Sequence, residues 1–275
     1  MNLSAIGIAA TLVLSGSLAA QDPRVDGEPR IVEMANIFAR GFYELDPAAP
    51  QSVIHPEISK IGIEANYWNT GRDVIEELSP GDLLVIASAL NRNGHIDAET
   101  AAVGVDFFDQ TETVGVIQLT ADRAWYDFFL ATRINDEWVF VNCAYGNVPD
   151  IPNPDAEADS DAIESRMRDY IDGYYAGDVE RALSGFYVDA DRRYVERGED
   201  TEYLQPQTME ILRQQIAQAG ESGRFANSDP ADVRVIGLTR TTGAVRIDAD
   251  GWTEWLFLQR LNDEWQVVNS FWEAT

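Results

Sequence analysis

Cysteine and lysine are almost absent from this 275-residue sequence, which contains one of each, Cys143 and Lys60. A single cysteine excludes an internal disulfide, and we expect Cys143 to be a buried, unpaired thiol. Basic residues are scarce, with 20 Lys and Arg against 47 Asp and Glu and a formal net charge of −27. Such a surface repels phosphate backbones and anionic headgroups, so we expect no nucleic-acid partner and attribute the acidity to solubility in a salty medium.

Long hydrophobic runs are also lacking, and the most apolar stretch lies at the start of the chain. The first twenty residues carry no charged side chain, are apolar from Ala5 to Leu14 and end in small residues. An apolar run of about ten residues is too short to span a bilayer comfortably. The pattern is typical of a secretory signal, so we predict a signal peptide at 1–20, no membrane span, and a periplasmic or secreted protein.

Motifs for cofactor chemistry are missing as well. The sequence has no Gly-x-Ser-x-Gly, no Gly-rich phosphate loop and no cysteine pair. Its two histidines, His55 and His95, are far apart, which is unfavourable for a transition-metal site. Acidic residues at 155, 157, 159 and 161 have the spacing of calcium ligands but lack the central glycine and the closing glutamate, so a solvated linker is expected. We therefore expect no cofactor and no metal ion.

The residues that are present indicate two packed domains. Hydrophobic residues make up 45% of the chain, which contains 7 Trp, 10 Tyr and 11 Phe. Stretches 125–142 and 252–269 both read as strand, Asn-Asp turn, strand, and they share an arginine, Asn-Asp-Glu-Trp and Val-Asn at equal spacing. Residues 41–46 parallel residues 173–178 in the same way. We predict two copies of one domain at 28–146 and 161–275.

The segment between the copies is rich in proline and acidic residues, which is typical of a linker and places one at 147–160. Ser160 is the predicted cap of the first helix of the second copy. Each copy then shows a short helix, a brief strand near 60–63 or 193–195, and a third helix at 79–90 or about 205–220. A run of closing strands follows, and this order predicts an α+β fold with helices on a curved, mostly antiparallel sheet.

The long strand at 252–260 is apolar on both of its faces. Trp252 and Leu256 lie on one face, and Trp255 and Phe257 lie on the other. An antiparallel sheet with one solvated face would alternate more cleanly between apolar and polar residues. The second face must therefore be covered, and we predict an intrachain pseudo-dimer in which the two sheets pack against each other.

Several motifs resemble the nuclear-transport-factor-2-like superfamily, in particular the branch named putative lumazine-binding, close to the SnoaL-like proteins. In the second copy they are Gly-Tyr-Tyr-x-Gly-Asp at 173–178, Phe-Tyr-Val-Asp-Ala at 186–190 and Trp-Gln-Val-Val-Asn at 265–269. The first copy matches through residues 55–60 and Val-Asn-Cys-Ala-Tyr at 141–145. The resemblance implies two cone-shaped domains, each wrapped round a pocket. The superfamily includes isomerases, dehydratases, hydrolases, cyclases and non-catalytic binders, so the fold does not select a function.

Two carboxylates are the main candidates for chemistry. Asp127 and Glu254 occupy the same position in the two copies, within otherwise aromatic strands. Burial among aromatic side chains raises the pKa of a carboxyl group and suits it to acid or base catalysis. The alternative is a carboxylate at the rim that pairs with Arg133 or Arg260.

Other candidate site residues surround these two positions. Tyr43 and His55 form a conceivable acid–base set with Asp127, although His55 alternatively serves as a structural cap before a proline. The candidate ligand-binding residues are Tyr175, Tyr187, Trp252, Glu254 and Trp125.

Three functions follow from these candidates. The first is an exported tandem-domain protein that binds a small, partly apolar molecule in a cone-shaped pocket. The second is a cofactor-independent acid–base enzyme of isomerase, dehydratase or hydrolase type. The third is a protein whose aromatic surfaces bind other proteins.

Overall fold

The computed structural model describes residues 27–64, 71–122, 125–198 and 201–275. The predicted signal peptide lies outside the described residues. Among the described residues, no helix is long and apolar enough to cross a membrane.

Among its described residues, the first domain has three helices and six strands: α1 (Pro29–Glu44), α2 (Ala48–Gln51), β1 (Ile54–Glu64), β2 (Val74–Leu78), α3 (Pro80–Ala87), β3 (Val103–Gln110), β4 (Val114–Ala121), β5 (Trp125–Ile134) and β6 (Glu137–Asn147). The second domain repeats this order: α4 (Ala156–Ala176), α5 (Val179–Leu183), β7 (Phe186–Arg197), β8 (Glu202–Gln207), α6 (Met209–Ser222), β9 (Asp232–Leu238), β10 (Thr242–Ala249), β11 (Trp252–Leu261) and β12 (Glu264–Ala274). The predicted duplication is therefore present in the fold.

Each domain contains one six-stranded sheet. The strand order is β2-β1-β6-β5-β4-β3 in the first domain and β8-β7-β12-β11-β10-β9 in the second. All neighbours are antiparallel except β1 with β6 and β7 with β12, which are parallel. This confirms the predicted α+β class with mostly antiparallel sheets, and it brings the strand that follows each short helix beside the last strand of its domain.

The Asn-Asp turns form as the sequence predicts. Asn135 and Asp136 have φ angles of 51° and 66°, and Asn262 and Asp263 have φ angles of 49° and 67°. Two successive residues with positive φ match the right-handed twist of the flanking strands, and Asn and Asp tolerate this conformation better than most residues. The turns therefore fix the register of β5 with β6 and of β11 with β12.

The two faces of each sheet belong to different cores. On β11, Trp252 and Leu256 pack under the helices of the second domain, whereas Trp255 and Phe257 face the first domain. Phe257 lies against Phe128 of β5, with ring centroids 6.2 Å apart. The two sheets thus bury an aromatic layer between them, in agreement with the predicted intrachain pseudo-dimer.

Some predicted boundaries differ from the structure. Helix α4 begins at Ala156, inside the predicted linker, because the acidic residues of its first turn favour a helix N-terminus. The prediction that Ser160 caps this helix is therefore wrong. Asp159 is also buried rather than solvated, and it accepts hydrogen bonds from Asn153 and Trp265. The edge strands β2 and β8 were not predicted, and β1 and β7 are longer than expected.

Candidate functional site

The first domain contains a buried polar centre at the middle of β5. Asp127 is fully buried, and its Oδ1 forms an ion pair with the Nζ of Lys60 on β1. Its Oδ2 accepts a hydrogen bond of 2.9 Å from the indole N–H of Trp125. The Cys143 thiol lies 3.4 Å from Asp127 Oδ1 and 3.2 Å from Lys60 Nζ. The carboxylate is therefore neutralised and fully bonded inside the domain.

Aromatic rings surround the Lys60 ammonium. Its Nζ lies 4.7 Å from the ring centroid of Tyr145, 5.4 Å from that of Phe129 and 5.6 Å from that of Phe38. Burial by itself lowers the pKa of Lys60, but the negative charge of Asp127 and the hydrogen bonds to Asp127 and Cys143 outweigh this effect, so the pKa is raised. The only lysine of the chain is therefore a charged group in the core of the first domain.

Cys143 is buried, as the sequence predicts, but it is hydrogen-bonded rather than isolated. Burial and the nearby Asp127 raise the pKa of its thiol well above the usual value. A thiol with a raised pKa holds its proton and is a poor nucleophile. Cys143 therefore has a structural role in this centre.

The second domain repeats this centre with different residues. Glu254 is fully buried and accepts hydrogen bonds from Arg192 Nε at 2.9 Å, Ser270 Oγ at 2.8 Å and the Tyr170 hydroxyl at 3.0 Å. Burial lowers the pKa of Arg192, but Glu254 and Tyr170 raise it more, and the net shift is upward. Burial and Glu254 raise the pKa of Tyr170 well above its ordinary value, so its hydroxyl stays a donor.

These partners correct the predicted ion pairs. The two arginines expected to pair with the carboxylates lie elsewhere: Arg133 pairs with Asp136, and Arg260 pairs with Asp159. The rim-pairing alternative is therefore wrong, because β1 and β7 bring Lys60 and a matching arginine into the core from more distant parts of the chain.

A signal for the true partners was present in the sequence. His55 aligns with Tyr187, and continuing that alignment places Lys60 opposite Arg192. In the structure Lys60 pairs in register with Cys143, and Arg192 pairs with Ser270. Both copies therefore have a basic residue five positions after His55 or Tyr187. This match indicates that each basic residue binds the equivalent carboxylate of its own domain.

The predicted acid–base set is only partly assembled. Tyr43 lies on the helix-covered face, with its ring 5.9 Å from that of Trp125 and its hydroxyl 3.5 Å from the Ala102 carbonyl. Burial raises its pKa. His55 instead accepts a hydrogen bond from the Glu57 backbone N–H at its Nδ1, and none of its described contacts reaches Asp127. Burial lowers the pKa of His55. The three residues therefore do not form one constellation.

An aromatic cluster occupies one end of the second domain and consists of Tyr174, Tyr175, Phe225 and Trp252. Tyr175 stacks on Phe225 with ring centroids 4.8 Å apart and an interplanar angle of 13°. The Trp252 ring lies 5.2 Å from Tyr174 and 5.6 Å from Phe225. Its indole N–H is buried and has no hydrogen-bond partner among the described residues. Tyr187 is half-buried at the start of β7 and is not part of this cluster.

The described surface includes two shallow depressions. One, of about 280 Å³, lies between the domains over Ile58 and Leu204. The other, of about 330 Å³, is lined by residues 227–231 and 248–250, next to the aromatic cluster. Asp250 joins it to the cluster, because its backbone N–H donates to the Tyr175 hydroxyl at 3.2 Å. Neither depression is lined by Asp127 or Glu254, so the two buried centres are closed to both.

Fold and sites together define two tandem copies of one α+β domain, each with its own six-stranded sheet. Residues 158–273, most of the second domain, match the family model described as "Putative lumazine-binding". No curated protein matches the chain.

Several solved structures are similar to parts of the chain, and the first two given below are described as proteins of unknown function. A nuclear-transport-factor-2-like protein from Shewanella baltica is 19% identical, with 43% of this chain and 95% of that chain covered and a TM-score of 0.35. One from Silicibacter pomeroyi is 14% identical, with 42% and 92% covered and a TM-score of 0.34. One with a cystatin-like fold from Novosphingobium aromaticivorans is 16% identical, with 43% and 83% covered and a TM-score of 0.30.

Proposed function

We propose that this chain is an exported binding protein whose second domain holds a small, flat, partly apolar molecule at its aromatic cluster. The observation that carries the proposal is the buried indole N–H of Trp252, which has no partner among the described residues and lies among aromatic rings. A buried donor without an acceptor costs about 1–3 kcal/mol. A ligand that brings an acceptor to this N–H recovers that free energy on binding.

The first domain supplies the matched comparison. Trp125 occupies the position of Trp252 in the other copy, and its N–H is satisfied by Asp127. In the second domain the equivalent carboxylate, Glu254, is bonded instead to Arg192, Tyr170 and Ser270. The two equivalent indoles therefore differ: the Trp125 N–H is already bonded, whereas the Trp252 N–H, unpartnered among the described residues, is left for a ligand.

The surroundings of Trp252 favour a flat heterocycle. Tyr174 and Tyr175 are only half-buried, so their rings form the cover that a ligand displaces. Aromatic rings give a flat molecule stacking surfaces, and the adjoining depression offers polar groups to its edge. A molecule with a carbonyl oxygen or ring nitrogen at one edge combines stacking with an acceptor for the indole N–H.

The paired state of both buried carboxylates favours binding over acid–base catalysis. Asp127 and Glu254 each sit in a closed ion pair with a buried cation. A catalytic base must be within hydrogen-bond reach of the substrate, and neither depression reaches these groups. The enzyme alternative would require at least one of the two centres to open to a substrate.

Export is part of the same proposal and rests on the uncharged, apolar first twenty residues. Fractionation of cells that express the full chain, followed by N-terminal sequencing, tests it. A mature protein that begins near residue 20 outside the cytoplasm supports export, whereas an uncleaved cytoplasmic protein contradicts it.

Lumazine is a suitable first probe, because it is flat, carries acceptors at its edge and is named in the matching family description. We expect saturable quenching of lumazine fluorescence by the full chain. Trp252→Phe keeps a ring but removes the N–H, so it should weaken binding about fivefold to tenfold, the value of one neutral hydrogen bond. Trp125→Phe is the matched control and should leave binding unchanged.

If lumazine does not bind, solvent extraction of the purified protein and mass spectrometry identify the molecule that it carries. Equal affinity of the Trp252→Phe variant and the native chain for the probe or the extracted molecule would refute the assigned site. A protein that carries nothing and binds no flat heterocycle would refute the function.

A further inference from the structure

The interface between the two sheets contains contacts that occur twice, once in each direction. The Asn142 side-chain amide donates to the Ser270 carbonyl at 3.1 Å, and the Asn269 amide donates to the Cys143 carbonyl at 3.1 Å. Asn142 and Asn269 are the asparagines of the repeated Val-Asn, and Cys143 and Ser270 follow them directly. The same short segment of each domain thus recognises its counterpart in the other.

The Asn-Asp turns make a second reciprocal pair. The Asn135 backbone N–H donates to the Glu202 carboxylate at 2.7 Å, and the Glu202 N–H donates to the Asn135 side chain at 3.0 Å. At the other end of the interface, the Asn262 N–H donates to Asp73 at 3.1 Å, and the Asp73 N–H donates to Asn262 at 3.0 Å. Each of these contacts joins an asparagine to a carboxylate, and both domains supply both groups at equivalent positions.

Other interface contacts exist in one direction only. Asp109 on β3 accepts hydrogen bonds from Arg246 at 2.9 Å and from the Trp255 indole N–H at 2.6 Å. Asp109 pairs in register with Val116, and the equivalent residue of the second domain, which pairs with Ala244, is Gly237. A glycine offers no carboxylate in return, so this contact distinguishes the two domains.

Tyr126 makes a second one-way contact. Its hydroxyl lies 2.7 Å from the Thr239 hydroxyl and 2.8 Å from the Thr242 hydroxyl. Thr253 stands at the equivalent position of the second domain, and its hydroxyl donates to Asp248 within its own domain. The sheet face of the second domain therefore has no equivalent of the Asp109 carboxylate or the Tyr126 hydroxyl, the two groups through which the first domain binds it.

We propose that the sheet face of the second domain fits a second copy of itself, and that Asp109 and Tyr126 direct it to the first domain of the same chain. The reciprocal contacts supply the fit: a symmetric pair of second domains would place Asn269 against the partner's Ser270 and Asn262 against the partner's Glu202. The apolar layer of Trp255, Phe257 and Phe271 would be covered in both arrangements. The contacts of Asp109 and Tyr126, which have no equivalent in the second domain, make the first domain the preferred partner.

The test uses the full chain with a protease site inserted after the exposed Pro154 and cut in the folded protein. The two halves are exchanged in mild denaturant, returned to buffer and weighed by native mass spectrometry. We expect the native halves to return mainly to the mixed pair. With Asp109→Ala and Tyr126→Phe, the symmetric pair of second domains should increase about tenfold or more relative to the mixed pair.

Asp106→Ala is the matched control, because Asp106 is exposed on the same strand; it should leave the distribution unchanged. If no symmetric pair of second domains forms even with the variant halves, the face is not self-complementary and the proposal is wrong. Equal proportions in native and variant samples would show that the two residues do not select the partner. Circular dichroism of the uncut double variant verifies its fold, and Tyr126→Phe alone carries the test if that variant is unfolded.

Discussion

Replacing Lys60 by methionine tests the buried centre of the first domain most directly. The Lys60 side chain is 6% exposed and its partner Asp127 is fully buried, so water replaces almost none of the lost interaction. Removing one partner of a buried ion pair costs about 3–5 kcal/mol, because the remaining charge stays buried without compensation. We expect the free energy of unfolding of the first domain to fall by this amount.

A second variant separates the cost of an orphaned charge from a loss of packing. Lys60→Met combined with Asp127→Asn removes both charges but keeps an oxygen acceptor for the Trp125 N–H. A neutral pair of similar volume is often as stable as the buried ion pair that it replaces. The double variant should therefore recover most of the stability lost in the single one.

Urea titration followed by tryptophan fluorescence and circular dichroism measures these differences, with an unchanged denaturant slope as the check on the folded state. Arg133→Met is the control, because Arg133 pairs with a 97% exposed aspartate and such pairs contribute about 0–1 kcal/mol. The reasoning fails if Lys60→Met costs no more than Arg133→Met, or if the double variant is as unstable as the single one.

Three further predictions concern the indoles, a histidine and the surface charge. Trp125→Phe loses a hydrogen bond to a buried carboxylate and Trp252→Phe loses none, so the first should cost about 1.5–3 kcal/mol more in urea titrations; equal costs would contradict the assigned contacts. Burial lowers the pKa of His55, so the unfolded chain takes up its proton first and stability falls as pH drops below about 6.5; His55→Gln should reduce that loss in melting curves between about pH 7 and 5, and an unchanged profile would argue against it. The net charge of −27 implies self-repulsion, so the melting temperature should rise with added sodium chloride, whereas a flat response would refute this effect.

The duplicated plan could be predicted because its signals are local. The Asn-Asp turns, the alternation of β11 and the helix caps depend on residues that are close in the chain. Ser79 accepts a hydrogen bond from the Asp82 backbone N–H, and Asp178 accepts one from Arg181, as expected for residues at helix N-termini. The apolar residues on both faces of β11 similarly required a second covering layer.

The short edge strands could not be predicted in the same way. Strand β2 contains Val-Ile-Glu-Glu-Leu, which has no clean alternation, and it forms because β1 offers a free edge to pair with. Charged residues are common on edge strands because they discourage pairing with other chains. Its identity as a strand therefore depends on a neighbour rather than on its own sequence.

The partners of the buried carboxylates were hidden for a related reason. The nearby arginines were plausible partners in the chain, but Lys60 is 67 residues from Asp127, and Arg192 is 62 residues from Glu254. The parallel pairing of β1 with β6 and of β7 with β12 closes these distances. Parallel strands require a long connection, so the residues that they bring together are distant in the sequence.

The amino-acid order alone determined that one α+β unit occurs twice, since turn chemistry, helix capping and strand periodicity act over a few residues. Tertiary structure decided which charges meet in the two cores, which indole N–H stays without an acceptor, and which residues of each sheet recognise the other. These outcomes depend on contacts between distant segments, whose free energy is gained only once the sheets have formed and packed.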